Sequence, residues 1–112
     1  MLALADHLES AGFLVLEAAS VAQAIALIQA EPVIDLVFSD VRLPDDEEGG
    51  LQLARWVASN RPGIAVILTS GDLSRAKGLE ELCRNQGFST FAKPYIHADV
   101  SDKIEALLRK NT

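Results

Sequence analysis

The chain has 112 residues, close to the modal size of a single domain, so it can hold one packed core and not two. Hydrophobic residues make up 49%, which excludes a disordered chain, and a net charge of −6 opposes contact with nucleic-acid phosphates. The lone cysteine, Cys83, cannot form an internal disulfide and fits a reducing, cytoplasmic setting; no apolar run approaches the ~20 residues that cross a bilayer, and "MLALADHLES" lacks the basic start of a secretion signal.

Along the chain, Leu4 and Leu8 stand four apart with Ala5 and Ala11 beside them, a helical face that Gly12 terminates. "FLVLEA" is a short apolar run and predicts a strand over 13–18. Ser20 is a candidate cap for a helix that sets Val21, Ala24, Ile25 and Ile28 on one face and stops at Pro32. "IDLVFS" predicts the next strand. "DVRLPDDEEGG" is a loop by composition. "LQLARWVASN" predicts a helix that buries Leu51, Leu53, Ala54 and Val57, with Trp56 packed or half-exposed.

Pro62 and Gly63 turn the chain into "IAVILT", an apolar strand without alternation, as expected where both faces are covered in a parallel sheet. The helix signal over 70–87 is weaker, because Gly78 lies inside it; Cys83 there reads as a small packing residue. "FSTFAKP" predicts the last strand. The closing helix over 98–110 carries Val100, Ile104, Leu107 and Leu108 on one face. Five helices alternating with four strands predict an α/β domain, a parallel sheet with right-handed crossovers and helices on both faces. A leading helix is unusual in this class, where a helix ordinarily follows a strand.

Sites in such sheets form beyond the carboxyl ends of the strands. There the sequence places Asp40, then Thr69 and Ser70, then Lys93 followed by Pro94. A carboxylate at a strand end can attack phosphorus and become an acyl phosphate. The transferred group needs cations and donors, which Lys93 and Thr69 can supply, and a divalent metal usually completes such a site. Neither a nucleophile–base pair nor a glycine-rich phosphate loop appears, so an independent enzyme is not expected. His7 and His97 lack partners at metal spacing and are expected in solvent, Arg42 is expected exposed, and Ser70 reads as a small spacer.

"DVRLP", "VILTSG" and "FAKPY", in this order and spacing, resemble the signatures of response regulator receiver domains of two-component signalling, over essentially the whole chain. The resemblance implies a flavodoxin-like sheet, with the family's first strand between its second and third. It implies Asp40 as phosphoacceptor, Thr69 as the hydroxyl that swings toward the phosphoryl group and Lys93 as the partnering lysine. It also implies a cis peptide before Pro94, and Mg²⁺ on Asp40 and a backbone carbonyl at Val41 or Arg42. The implied donor is a histidine kinase or phosphotransfer protein.

The sequence departs from the family pattern in three places. Met1 falls inside what would be the first helix, so the first strand and its acidic pair are not encoded; residues 1–112 read as one receiver-like domain truncated at its front, with Mg²⁺ binding weakened. "FLVL" and "LVFS" would then carry open edges, an association hazard. The two strands could pair directly, a partner or second copy could fill the gap, or the gene product could be longer. The loop after Asp40 is long and acidic, and Asp45, Asp46, Glu47 or Glu48 could replace the missing acids, although a solvated loop is the simpler reading. The usually aromatic switch position, three residues before the lysine, is Thr90, and Phe91 beside it would face the other way. Two functions follow: a phosphoacceptor on Asp40, or a non-phosphorylated pseudo-receiver that acts as a protein-interaction module. Homodimerisation through open sheet edges or the last-helix face, and no nucleic-acid or membrane partner, complete the expectation.

Overall fold

The computed structural model describes residues 3–43, 46–71 and 79–110. Asp45 and residues 72–78 of the expected weak helix lie outside them. The elements are α1 (Leu4–Ser10), α2 (Val21–Ala30), β1 (Leu36–Asp40), α3 (Gly49–Asn60), β2 (Ala65–Ser70), α4 (Leu79–Gln86), β3 (Ser89–Ala92) and α5 (His97–Lys110).

Some helix boundaries have a local cause. The Ser20 hydroxyl accepts the Gln23 N–H at 3.1 Å and caps α2. After α1, Gly12 takes φ of 99°, a left-handed value open to glycine, while the Phe13 N–H closes on the Leu8 carbonyl at 3.0 Å. Arg61 ties the end of α2 to the end of α3: its guanidinium donates to the Ile28 and Pro32 carbonyls, both at 3.1 Å.

The three strands are parallel, in the order β1-β2-β3. The central strand carries the core, with Val66, Ile67, Leu68 and Thr69 all at 2% exposure or less. Alternation along β2 divides that core. Val66 and Leu68 join Ile28 of α2, Leu51 and Val57 of α3 and Leu79 of α4 on one face. Ile67 joins Leu8 of α1 and Val100 and Ile104 of α5 on the other. Apolar side chains on both faces of the strand explain why the sequence of β2 shows no polar alternation.

One expected strand is absent. Residues 13–18 form no ladder, and β1 pairs with β2 alone among the described residues, so "FLVL" and "LVFS" do not pair directly. Phe13 and Val15 still pack into the α1–α5 core, whereas Leu14 and Leu16 are 94% and 48% exposed. The segment thus keeps a strand's side-chain alternation and lacks the neighbour whose backbone would make it one. Hence two helices precede the first strand, in place of strict alternation.

His7 also departs from expectation. It lies half-buried, its Nε2 is 3.2 Å from the Ser101 hydroxyl, and its ring is 5.6 Å from that of His97. The Ser101 hydroxyl is also within hydrogen-bond distance of the Ala98 carbonyl, at 3.0 Å. The His7–Ser101 contact joins α1 to α5.

Candidate functional site at the carboxyl edge of the sheet

Parallel register assembles the site. Asp40 lies opposite Thr69 at the ends of β1 and β2, and Ser70 lies opposite Ala92. The ladder runs on past the strands: the Val41 N–H donates to the Thr69 carbonyl at 2.8 Å, and the Lys93 N–H donates to the Ser70 carbonyl at 2.9 Å. Side-chain alternation then sets the face. Leu36, Phe38, Ile67 and Phe91 all belong to the α1–α5 core, so Asp40, Thr69 and Lys93, two residues further along their strands, emerge on that same face.

The three side chains meet. The buried Thr69 hydroxyl donates to Asp40 Oδ1 at 2.5 Å, and the Lys93 ammonium lies 3.1 Å from the same oxygen. Asp40 and Lys93 stay about two-fifths exposed, open to a ligand from solvent, while Thr69 is fully buried. Both contacts converge on Oδ1, which leaves Oδ2 as the oxygen for a reacting group. The Lys93–Pro94 peptide bond is cis.

Gly50 fixes the carboxyl end of β1 against the start of α3. Its N–H donates to the Val41 carbonyl at 2.9 Å, and a Cβ added there would lie 1.9 Å from the Asp40 carbonyl oxygen. Only a residue without a side chain permits that approach. Tyr95, quoted in the sequence motif without a role, stands beside the site. Its ring packs edge-on against Phe38 at 5.7 Å. Burial raises its phenol above the ordinary value; the Asp40 charge raises it further, and Lys93 lowers it. The sign of each effect marks Tyr95 as an electrostatic neighbour of the pair.

The other expected residues fall outside this cluster. Asp46 caps its own turn, where Oδ1 accepts the Glu48 N–H at 3.1 Å, and Glu47 and Glu48 are exposed. Thr90 is exposed, and Phe91 faces the α1–α5 core. Arg42 is exposed, and the Val41 carbonyl is taken by Gly50. Among the described residues no three histidine, cysteine or acidic side chains gather to hold a metal. Asp40 and one backbone carbonyl are the oxygens this edge could offer a Mg²⁺, which keeps several waters of its own and is held through one or two carboxylates. Burial raises the Cys83 thiol, which packs against the α2–α3 core and is a poorer nucleophile for it. None of the described helices is long and apolar enough to cross a membrane.

No curated protein sequence matches the chain. Among solved structures, a response regulator receiver protein from Sinorhizobium medicae WSM419 is similar at 27% identity and TM-score 0.77, over 97% of this chain and 85% of that one. A response regulator from Thermotoga maritima is similar at 24% identity and TM-score 0.74, over 95% and 85%. A streptococcal protein, described as a redox sensor of a family evolved from two-component response regulators, is similar at 18% identity and TM-score 0.75, over 96% of this chain. The chain spans 45% of that protein's length. Receivers as a family are phosphorylated on an aspartate, generally bind Mg²⁺ and interact with histidine kinases or phosphotransfer proteins. The family model for the response regulator receiver domain matches residues 1–105, and with its flavodoxin-like sheet and helices on both faces the chain belongs to that family.

Proposed function

We propose that Asp40 is the aspartate of this receiver that takes the phosphoryl group, from a phosphohistidine on a histidine kinase or phosphotransfer protein. The observation that carries this reading is the convergence of the Thr69 hydroxyl and the Lys93 ammonium on Asp40 Oδ1. Oδ2 attacks phosphorus, an O–P bond forms, the P–N bond breaks, and the imidazole nitrogen keeps the electron pair. Lys93 then pairs with the new phosphoryl oxygens, and Thr69 turns its proton from the carboxylate toward them. In this role the chain is an acceptor and not an enzyme acting on a separate substrate. Its setting is cytoplasmic. The pseudo-receiver alternative is not favoured by the family match.

The test is incubation with a small phosphodonor, with and without Mg²⁺, read by intact mass. The expected result is a gain of one phosphoryl group that hydroxylamine removes and Asp40→Asn abolishes. A chain left unmodified in both conditions, or a gain that survives Asp40→Asn, sinks the assignment. Comparing the two conditions also tests Mg²⁺ at Asp40 and the Arg42 carbonyl. Light scattering on the same samples tests self-association through the sheet edge or the α5 face.

A further inference from the structure

The chain has two histidines, and the packing of α1 against α5 brings them together. The rings of His7 and His97 have their centres 5.6 Å apart and are tilted by 51°. Both side chains are half-buried, so each is held by its surroundings and still open to an ion from solvent. Expected to lack partners at metal spacing, the two imidazoles are partners for each other.

The spacing suits one shared ion. With metal–nitrogen bonds of about 2.0–2.1 Å, two imidazoles on a tetrahedral ion set their ring centres roughly 5 Å apart. The observed 5.6 Å lies near that value, and the broad χ2 torsion of histidine supplies the adjustment. Ser101 orients the first ring. Its hydroxyl is buried, 3.2 Å from His7 Nε2 and 3.0 Å from the Ala98 carbonyl. With Nδ1 of His7 on a metal, Nε2 keeps its proton and donates to Ser101, which in turn donates to Ala98. Every group in that chain then has a partner, the arrangement that fixes the ring of a ligating histidine. Charge agrees. Asp6 and Glu9 on α1 and Asp99 in the first turn of α5 are exposed, favour a cation, and offset the positive end of the α5 dipole near His97.

We propose that His7 and His97 bind one divalent transition-metal ion of the Zn²⁺ class, with water in its remaining positions, and that the ion clamps α1 to α5. Imidazole nitrogens select Zn²⁺, Cu²⁺ or Ni²⁺ over Mg²⁺, which separates this site from the oxygens at Asp40. Among the described residues no third histidine, cysteine or acid joins the pair, so the site is open and exchangeable rather than of the closed, four-ligand kind. It does not rest on phosphorylation of Asp40.

The test is titration calorimetry of the untagged chain with Zn²⁺. The expected result is one ion per chain, bound at least tenfold more weakly by His7→Gln and by His97→Gln, with circular dichroism confirming that each variant is folded. Cys83→Ser and an excess of Mg²⁺ are expected to leave binding unchanged. Nitrogen NMR of the imidazoles reads the ligands directly, since the chain holds two histidines: both rings should shift with Zn²⁺, His7 through Nδ1. Because the ion binds the folded chain, Zn²⁺ should raise Tm, EDTA should reverse the rise, and His97→Gln should remove it. The half-exposed His97 makes its variant informative even if His7→Gln loosens the seam. No Zn²⁺ uptake, uptake at full affinity in folded His97→Gln, or uptake lost in Cys83→Ser would each overturn the site. Light scattering that finds two chains per ion would overturn its assignment to a single chain.

Discussion

Tyr95 stands two residues past Lys93 and responds to both members of the ion pair, which makes it a gauge of the site. Its pKa lies above the ordinary 10.0 through burial and the Asp40 charge. The neutral phenol is thus favoured in the folded state. Below pH 10 both folded and unfolded chains hold the proton, and the shift contributes nothing. As pH rises through the window above 10.0 the unfolded chain loses its proton first, so stability falls until the folded phenol has also ionised. Asp40→Asn is expected to bring the phenol partway back toward 10.0, because burial remains, and Lys93→Met is expected to raise it. Phenolate absorbance reads this directly, since the chain has a single tyrosine. A Tyr95 titration indifferent to both substitutions would remove it from the site. Asp40, Thr69 and Lys93 were legible in the sequence because each ends an apolar run, where a parallel sheet gathers residues. Tyr95 and the His7–Ser101 contact were not, since both depend on distances through space; the latter spans 94 positions.

The junction of β1 and α3 shows how an element holds Asp40, the proposed acceptor. Alanine at position 50 would improve helix propensity by up to ~1 kcal/mol. Its Cβ would lie 1.9 Å from the Asp40 carbonyl oxygen and 2.7 Å from the Val41 Cα, both backbone atoms that cannot rotate away. Overpacking of this kind costs roughly 1–3 kcal/mol, so the clash prevails. Gly50→Ala is expected to lose about that much stability by urea unfolding and, by shifting the end of β1, to slow the phosphoryl uptake proposed for Asp40. Gly63→Ala, with nothing within 4 Å of the added atom, is the matched control and should be neutral or slightly stabilising. Equal effects at both positions would refute the close-approach argument. The helices were legible because their apolar spacing, and for α2 the Ser20 cap, are local. The segment over 13–18 was misread because composition and alternation suit a strand, whereas a strand exists only through its neighbour. The sequence carried the side-chain half of that pattern and could not carry the partner.

Across the whole molecule, protection should follow depth in the sheet. Val66, Ile67, Leu68 and Thr69 are 2% exposed or less, and the last three pair on both sides, so their amides are expected to exchange slowest. Leu36–Asp40, an edge covered only partly, should exchange faster, and residues 13–16 faster still. Native-state hydrogen exchange checks the ranking; β1 amides as protected as those of β2 would mean that the edge is already covered. The α/β class and parallel direction were legible from the order of elements. The three-strand sheet was not, because strand count depends on which apolar runs find partners. The two-faced core has one more consequence. The chain has one tryptophan and one tyrosine; Trp56 packs into the α2–α3 core, and Tyr95 packs into the α1–α5 core. Nature has therefore labelled each side of the sheet with its own chromophore. Melting curves followed separately at the two rings would show, without any introduced dye, whether the halves of this domain come apart together or in turn.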